Sequence, residues 1–396
     1  MINNYTLYNP AKMFFGKGVE EKVGEVVKSY GATKVLLHYD GSEFVKPHVE
    51  KAKQRLLAAG LAVYELGGVV ANPKLSLMKE GCRMVKENDI DFILAVGGGS
   101  TMDSAKYIAC GTYYDGELWD HPKFKPITTK VIKHGCIVTM TGTGSETSAG
   151  AVWRDDTCTP EKKTFVMASE LKFDFAMVNP EVNYTLPAFQ TAAGAFDIMS
   201  HQMEQYFCTP EDTTYYHESF EAIINEVMRS VRVALKDPTN YSARANLARM
   251  AYAGDTVTPG IMGGACVHNL EKPITGTYHR THGEVLAVFF PYWIKYCYEH
   301  DMKKELFIRL CVKCFNAKAN YANPDEIIEE GVNNLKNFIK EIGLSTTLKE
   351  IGVTDDSKFD ECAQYGVDGG TDGYIGRGIK LYKQDIINIY NMALKG

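Results

Sequence analysis

The chain has 396 residues, of which 45% are hydrophobic and 23% charged, and this length and mixture predict a globular protein of two domains. Its formal net charge of −6 at pH 7 argues against a nucleic-acid partner or an anionic membrane surface, because both are bound by basic patches. The sequence contains no run of about 18 uninterrupted apolar residues, so we expect no membrane span.

The N-terminal residues and the cysteines indicate a cytoplasmic protein. Residues 1–5 lack the charged segment and apolar run of a secretory signal peptide. The ten cysteines are scattered, as expected of reduced thiols rather than of a disulfide framework. Cys311 and Cys314 form a CxxC pair, but no second pair completes a zinc site, and packing in an apolar helix explains them.

Strand and helix patterns alternate along the first half of the chain. The predicted strands cover residues 34–39, 61–64 and 91–96, and predicted helices follow them over 44–59, over 75–87 and from about 101. This spacing predicts βαβ units, and therefore an α/β domain with a mainly parallel sheet.

Asp40 follows the first of these strands. In a dinucleotide-binding domain, a carboxylate at this place binds the adenosine ribose hydroxyls and repels a 2′-phosphate, so Asp40 favours NAD over NADP. Two alternatives stay open. Asp40-Gly41 is also a common turn dipeptide, and Lys46 or His48 nearby could neutralise a 2′-phosphate.

A glycine-rich loop joins the third strand to its helix and consists of Gly97, Gly98, Gly99 and Ser100. Glycines let backbone N–H groups approach a pyrophosphate, and a helix N-terminus adds free donors and a favourable dipole. Asp103, in the first helical turn, could cap the loop or contact the nicotinamide side of a cofactor. The third glycine of the Rossmann fingerprint is replaced by Met102, and an ordinary strand-to-helix turn explains the loop equally well.

A second loop of small residues follows the apolar run 136–138. Its hydroxyls suit contacts to phosphate or ribose, and the candidates are Thr139, Thr143 and Ser145. The alternative is a plain Ser/Thr-rich turn.

The pattern becomes helical after residue 187. Helical spacing extends over 188–206, 216–235, 243–253 and 324–342, and strand signals largely vanish. We therefore predict an α/β domain over residues 1–185 and an all-helical domain over residues 186–396.

A possible metal site lies in the helical half. Asp197 and His201 are four residues apart, which places both side chains on one face of a helix. With His268 and His282 they offer one carboxylate and three imidazoles, a ligand set that suits Fe²⁺ or Zn²⁺ and leaves a divalent site with net positive charge. A local Asp–His hydrogen bond and structural histidines are the alternative reading.

Several motifs together resemble the iron-dependent, group III alcohol dehydrogenases, and most closely their butanol dehydrogenase branch. The resemblance covers nearly the whole chain, and the segments that carry it are residues 97–106, 141–146, 179–181, 191–201, 281–283 and 385–390.

The resemblance implies a dinucleotide-binding domain, an all-helical metal-binding domain and a homodimer. It also implies that Asp197, His201, His268 and His282 bind the metal, since the interval of fourteen residues between the last two matches the family. Many relatives that use NADP carry glycine at the place of Asp40, which again favours NAD here.

Two positions depart from the family pattern. Lys272 stands where much of the branch has a histidine near the substrate, and His279 stands where close relatives often carry an aspartate or another residue without an imidazole ring. Either residue could act in proton transfer, although a solvated surface lysine is an equally simple explanation of Lys272.

The expected activity is hydride transfer between a nicotinamide cofactor and a small primary alcohol or its aldehyde. The nearest alternative is a polyol or glycerol-type dehydrogenase of the same superfamily, although those sites usually have fewer histidine ligands. A non-catalytic regulator that keeps the fold and binds the metal or nucleotide is the alternative from another class.

Overall fold

The computed structural model describes residues 8–122, 125–158, 161–210, 213–253, 264, 266–370 and 372–396. Their contacts divide the chain into two compact units. The first contains residues 8–187 together with a later helix over 241–251, and the second contains residues 188–236 and the described residues from 264 onward.

The first unit is built on a parallel sheet of six strands. In chain order the strands of this unit are β1 Lys12–Phe15, β2 Lys34–Asp40, β3 Ala62–Val69, β4 Phe92–Gly97, β5 Lys133–Val138, β6 Gly150–Asp155, β7 Lys162–Met167 and β8 Phe175–Val178. The sheet has the order β1-β8-β5-β4-β2-β3, and β6 and β7 form a separate antiparallel pair.

Helices cover both faces of this sheet. They are α1 Val23–Ser29, α2 Lys46–Ala58, α3 Leu75–Asn88 and α4 Gly99–Gly111, and α7 Tyr241–Ala251 also belongs to this unit. Alternate residues of β2 and β4 pack against α1 and α2 on one face and against α3 and α4 on the other. Burial on both faces explains why these strands are nearly continuous apolar runs.

The strand order reverses beside β2. The chain passes from β2 to β3 on one side, whereas β4 lies on the other side of β2. The carboxyl ends of β2 and β4 therefore meet, with Tyr39 paired to Val96, and this is where α/β sheets bind their ligands. Asp40 and the glycine-rich loop both lie at this edge.

The prediction of βαβ units and a parallel sheet is confirmed, but several strands were missed. β1 and β8 have four residues each, too few for a periodic pattern to be visible. The antiparallel pair β6–β7 was also missed.

The second unit is helical. Its helices are α5 Ala188–Cys208, α6 Thr214–Lys236, α8 Cys266–Tyr278, α9 His282–Glu299, α10 Lys304–Cys314, α11 Pro324–Glu341, α12 Phe359–Asp368 and α13 Lys383–Lys395. A two-stranded ribbon, β9 Tyr374–Ile375 with β10 Leu381–Tyr382, interrupts the predicted all-helical pattern. Cys311 and Cys314 are both buried in α10. Among the described residues, no helix combines the length and apolar character needed to cross a bilayer.

The predicted domain boundary at residues 185 and 186 stays a prediction. The change between units lies close to it, at residues 187 and 188, but α7 groups with the first unit instead of the helical one. Its contacts with the short 3-10 helix Pro180–Thr185 account for this grouping, which helical spacing alone does not reveal.

Candidate metal centre and nucleotide-binding residues

Helix α5 supplies the first two predicted ligands. Asp197 and His201 lie one turn apart, with Oδ1 of Asp197 3.7 Å from Nε2 of His201. Asp197 is only 4% exposed, in a helix that is buried over most of its length. A carboxylate this buried needs cationic or hydrogen-bonding partners, because burial alone strongly disfavours its charge.

The other two predicted ligands come from the starts of two further helices. His268 lies in the first turn of α8 and His282 is the first residue of α9. Oδ1 of Asp197 lies 3.6 Å from Nε2 of His268 and 3.4 Å from Nε2 of His282. The ring of His201 stacks on that of His268, with centroids 4.8 Å apart. Asp197, His201 and His268 therefore have ligand atoms within 4.8 Å of one another, and His282 joins this group through its contact with Asp197.

These separations fit an ion better than direct hydrogen bonds. At 3.4 to 3.7 Å, the imidazole nitrogens lie beyond the usual range for a hydrogen bond to Asp197. Donor atoms at about 2.0–2.2 Å around a tetrahedral metal are separated from each other by roughly 3.3–3.6 Å. Nε2 of His268 is also buried without a hydrogen-bond partner in the described part of the chain, as expected of an atom that faces an ion.

The charges of the four residues are strongly coupled. Burial alone would raise the pKa of Asp197, but the adjacent His201 and His282 hold it well below its usual range. Burial lowers the pKa of His201. Burial opposes charge on His268 as well, yet Glu204 and Asp197 raise its pKa to about 10. A metal ion at Nε2 of His268 competes with a proton for that nitrogen, as is usual for imidazole ligands.

Two carboxylates beside the site were missed by the sequence analysis. Oε2 of Glu204 lies 2.9 Å from Nδ1 of His268, and Oε1 of Glu271 lies 2.8 Å from Nδ1 of His282. Both glutamates are buried, at 4% and 0% exposure. Their signal in the sequence was an acidic residue three positions after a ligand histidine, in helices with otherwise apolar faces.

A glycine allows α9 to approach α5 closely. A Cβ atom on Gly283 would lie 2.1 Å from the carbonyl oxygen of Ala193, a contact that real Cβ atoms essentially never make. Any larger residue at position 283 would push α9 away from α5. The glycine after His282 thus helps to place that ligand beside Asp197.

The glycine-rich loop begins α4 in the first unit. Gly98 is the N-cap and Gly99 the first helical residue. A Cβ on Gly99 would lie 2.5 Å from Cγ2 of Thr143, so only glycine fits between the two loops. The loop therefore has the small residues and the helix N-terminus that a pyrophosphate requires.

Asp103 forms hydrogen bonds that hold the second loop of small residues, 139–147, in place. Its carboxylate accepts hydrogen bonds from Oγ of Ser145 at 2.7 Å and from the backbone N–H of Val152 at 2.9 Å. The buried Lys106 donates to Ser145 Oγ and to the carbonyls of residues 148 and 150. These hydrogen bonds give Asp103 and Ser145 a structural role, because they connect the second loop to α4. Contact of either residue with a cofactor stays a prediction.

Thr139 and Thr143 lie in the same loop. The backbone N–H of Thr139 donates to the carbonyl of Gly97 at 3.0 Å, which joins the two loops directly. The hydroxyl of Thr139 is buried and has no hydrogen-bond partner among the described residues. Oγ1 of Thr143 accepts from the N–H of Ser145 at 3.2 Å.

Asp40 lies at the end of β2 and also forms a turn. Its Oδ1 accepts from the N–H of Ser42 at 2.8 Å and from the hydroxyl of the same residue. The turn interpretation is therefore correct as a description of the local structure. It does not conflict with nucleotide binding, because the turn occupies only one of the two carboxylate oxygens in these contacts.

Lys272 and His279 lie in α8 and directly after it. Lys272 is one turn after His268, and its Nζ donates to Oδ1 of Asn269 at 2.8 Å. His279 is exposed and has a left-handed backbone, with φ of 51°, where the chain turns from α8 towards α9. The proton-transfer role of each residue stays a prediction.

Two family models together match almost the whole chain. The one described as iron-containing alcohol dehydrogenase matches residues 10–180. The one described as the C-terminal part of the Fe-containing alcohol dehydrogenase family matches residues 191–394.

Several similar proteins match most of the chain. An NADH-dependent butanol dehydrogenase A of Clostridium acetobutylicum is 33% identical over 97% of this chain and 98% of its own length. An NADPH-dependent aldehyde reductase of Escherichia coli is 30% identical over 89% of this chain and 90% of its own. The crystal structure of an NADH-dependent butanol dehydrogenase A from Thermotoga maritima has a TM-score of 0.89, with 30% identity and 99% of both chains covered.

Replacing one ligand tests the metal centre directly. In His268→Ala one of four donor atoms is lost, so we expect bound metal to fall several-fold and activity to be abolished. Metal content per chain is measured by elemental analysis after dialysis, together with turnover.

The matched control is His300→Ala, which removes an exposed imidazole at the end of α9. It should leave both metal content and turnover unchanged. Full activity of the wild type after complete removal of metal would contradict the assignment of the site.

Proposed function

Because this chain belongs to the iron-containing alcohol dehydrogenase family, we propose that it transfers hydride between NADH and small, butanol-like primary aldehydes. Its activity class follows from the family: it is an alcohol dehydrogenase that uses a nicotinamide cofactor. The substrate, the choice of nicotinamide cofactor and the residue roles are the proposal.

The observation that carries the proposal is the convergence of three imidazoles on one buried carboxylate. Nε2 atoms of His201, His268 and His282 all lie within 3.7 Å of Asp197 Oδ1. Nitrogen ligands with one oxygen suit Fe²⁺ and Zn²⁺, and the family name favours iron. A set of three histidines also counts against the polyol-type alternative.

The ion would serve as a Lewis acid that polarises an aldehyde carbonyl or acidifies an alcohol. Asp197 and the three histidines would hold it. Gly98 and Gly99 would bind the cofactor pyrophosphate through backbone N–H groups at the start of α4. Asp40 would accept hydrogen bonds from the adenosine ribose, and Lys272 or His279 would pass the proton that the alkoxide product requires.

The names of the relatives support a butanol-like alcohol or aldehyde as substrate. Butanol dehydrogenases and an aldehyde reductase are among the proteins most similar to this chain. Both cofactors occur in those names, so the preference for NADH rests on Asp40. The cytoplasmic location and the homodimer stay predictions of the sequence.

Substrate profiling of the metal-loaded enzyme tests the proposal. We expect turnover of C2 to C8 aldehydes with NADH and, in the oxidative direction with NAD⁺, a kcat/KM for butanol at least tenfold above that for short diols or glycerol. A hydrophobic methylene in a pocket contributes about 1–3 kcal/mol, enough for such discrimination. A preference for glycerol or diols would favour the polyol-type alternative, and no turnover of any aldehyde would favour a regulator.

Asp40→Gly tests the choice of cofactor. Without the carboxylate, a 2′-phosphate no longer meets a negative charge, so the NADH to NADPH ratio of kcat/KM should fall tenfold or more, equivalent to about 1.4 kcal/mol per tenfold. The nearby Lys46 forms an exposed ion pair with Glu43, and accommodation of the 2′-phosphate by Lys46 or His48 is the alternative that this experiment decides.

Glu50→Gln is the control for this experiment, because it removes an exposed carboxylate of α2 whose contact is with Gln54. It should leave the ratio nearly unchanged. A wild-type preference for NADPH, or an unchanged ratio in Asp40→Gly, would show that Asp40 does not select the cofactor.

The pH dependence of kcat tests whether Lys272 or His279 takes part in proton transfer. If Lys272 or His279 passes the proton, Lys272→Met or His279→Asn should lower kcat and shift or remove one limb of its pH profile. Lys295→Met, in the exposed face of α9, is the control for loss of a lysine charge. Profiles that match the wild type in both variants would exclude both residues from proton transfer.

A further inference from the structure

The ligand histidines of α8 and α9 each meet a buried carboxylate on the side of the ring that faces away from Asp197. Nε2 of His268 points towards Asp197, while its Nδ1 lies 2.9 Å from Glu204. Nε2 of His282 likewise points towards Asp197, while its Nδ1 lies 2.8 Å from Glu271. Neither glutamate contributes to the four proposed ligand atoms, so their burial requires another explanation.

The two glutamate–histidine contacts connect three helices in chain order. Glu204 of α5 bonds to His268 of α8, and Glu271 of α8 contacts His282 of α9. Each glutamate thus belongs to the helix that precedes the histidine it holds. Among the described residues, no such carboxylate contact to Nδ1 of His201 is seen, and that ring stacks on His268 instead.

The two carboxylates differ in strength of contact. Glu204 accepts from Nδ1 of His268 with Oε2 and from the backbone N–H of the same residue, at 3.0 Å, with Oε1. Glu204 therefore fixes both the ring and the first turn of α8. Oε1 of Glu271 lies 2.8 Å from Nδ1 of His282, but the direction of this contact is less favourable for a hydrogen bond than that of Glu204 with His268, and Oε2 accepts from the hydroxyl of Thr275.

We propose that Glu204 and Glu271 are positioning residues that orient His268 and His282 so that each ring presents Nε2 to the metal. A proton kept on Nδ1 by a carboxylate leaves the lone pair of Nε2 free, and it makes the imidazole a more basic ligand. The role rests on the proposed metal site. It predicts a ligand set that is arranged before the ion binds.

Zinc affinity of the full-length protein tests this role without reference to activity. Glu204→Gln and Glu271→Gln should weaken zinc binding by about 10–100-fold, measured by competition with a chromogenic chelator. The effect should be larger for Glu204→Gln, because an amide can accept only one of the two bonds that Glu204 accepts. Glu284→Gln, in the first turn of α9 with its bond to Ser345, is the matched control and should change affinity less than threefold.

A second measurement uses the wild type, so that it does not depend on the folding of a variant. With histidine-selective ¹⁵N labelling and bound zinc, His268 and His282 should each show a slowly exchanging Nδ1–H proton and a metal-bound Nε2. Bonding of the metal through Nδ1 of either ring would overturn the proposal.

The possible outcomes distinguish failure of the positioning role from failure of the metal site itself. If the wild type binds zinc and both glutamine variants bind it equally well, or if Glu284→Gln weakens binding as much, the positioning role is wrong and the metal site stands. If the wild type binds neither zinc nor iron, the proposed function itself fails and the positioning role with it.

Discussion

The second unit depends on one buried charge, the carboxylate of Asp197. An ionised carboxylate that is 4% exposed is costly to bury unless cations or donors surround it. Its partners come from α5 itself and from the consecutive helices α8 and α9, which follow much later in the chain. His268 and His282 lie in the first turns of α8 and α9, so the starts of these two helices supply the partners of the buried charge.

Close backbone packing makes this arrangement possible. Gly283 lets α9 lie against Ala193 of α5, next to Asp197 and His282. A comparable constraint acts in the first unit, where Gly99 lies against Thr143 and the buried Lys106 ties the second loop to α4. In both units small residues and buried polar contacts hold candidate functional residues on helices, at strand ends or in loops that are tied to them, which are more rigid supports than free loops.

The features of the fold and site that the sequence predicts are those that arise from residues close together in the chain. Strands β2 and β4 were visible because both faces are buried, and the pair Asp197 and His201 was visible because helical spacing aligns four-residue neighbours. The pairing of His268 with Glu204 spans 64 residues, and no local pattern records such a contact. The grouping of helix α7 with the first unit has no local signal for the same reason: its own spacing does not say which surface it packs against.

The charge around the metal site differs from what the four ligands alone suggest. Three neutral imidazoles and one carboxylate around a divalent ion leave a net positive site, but Glu204 and Glu271 lie directly behind two of the rings and make the surroundings negative. Such carboxylates strengthen metal retention by making the imidazoles more basic, and they oppose the negative charge that develops on a substrate oxygen. A cation near the substrate would offset that opposition. Lys272, one turn after His268 on α8, would supply such a charge in its proposed role, which gives that role a physical reason beyond proton transfer.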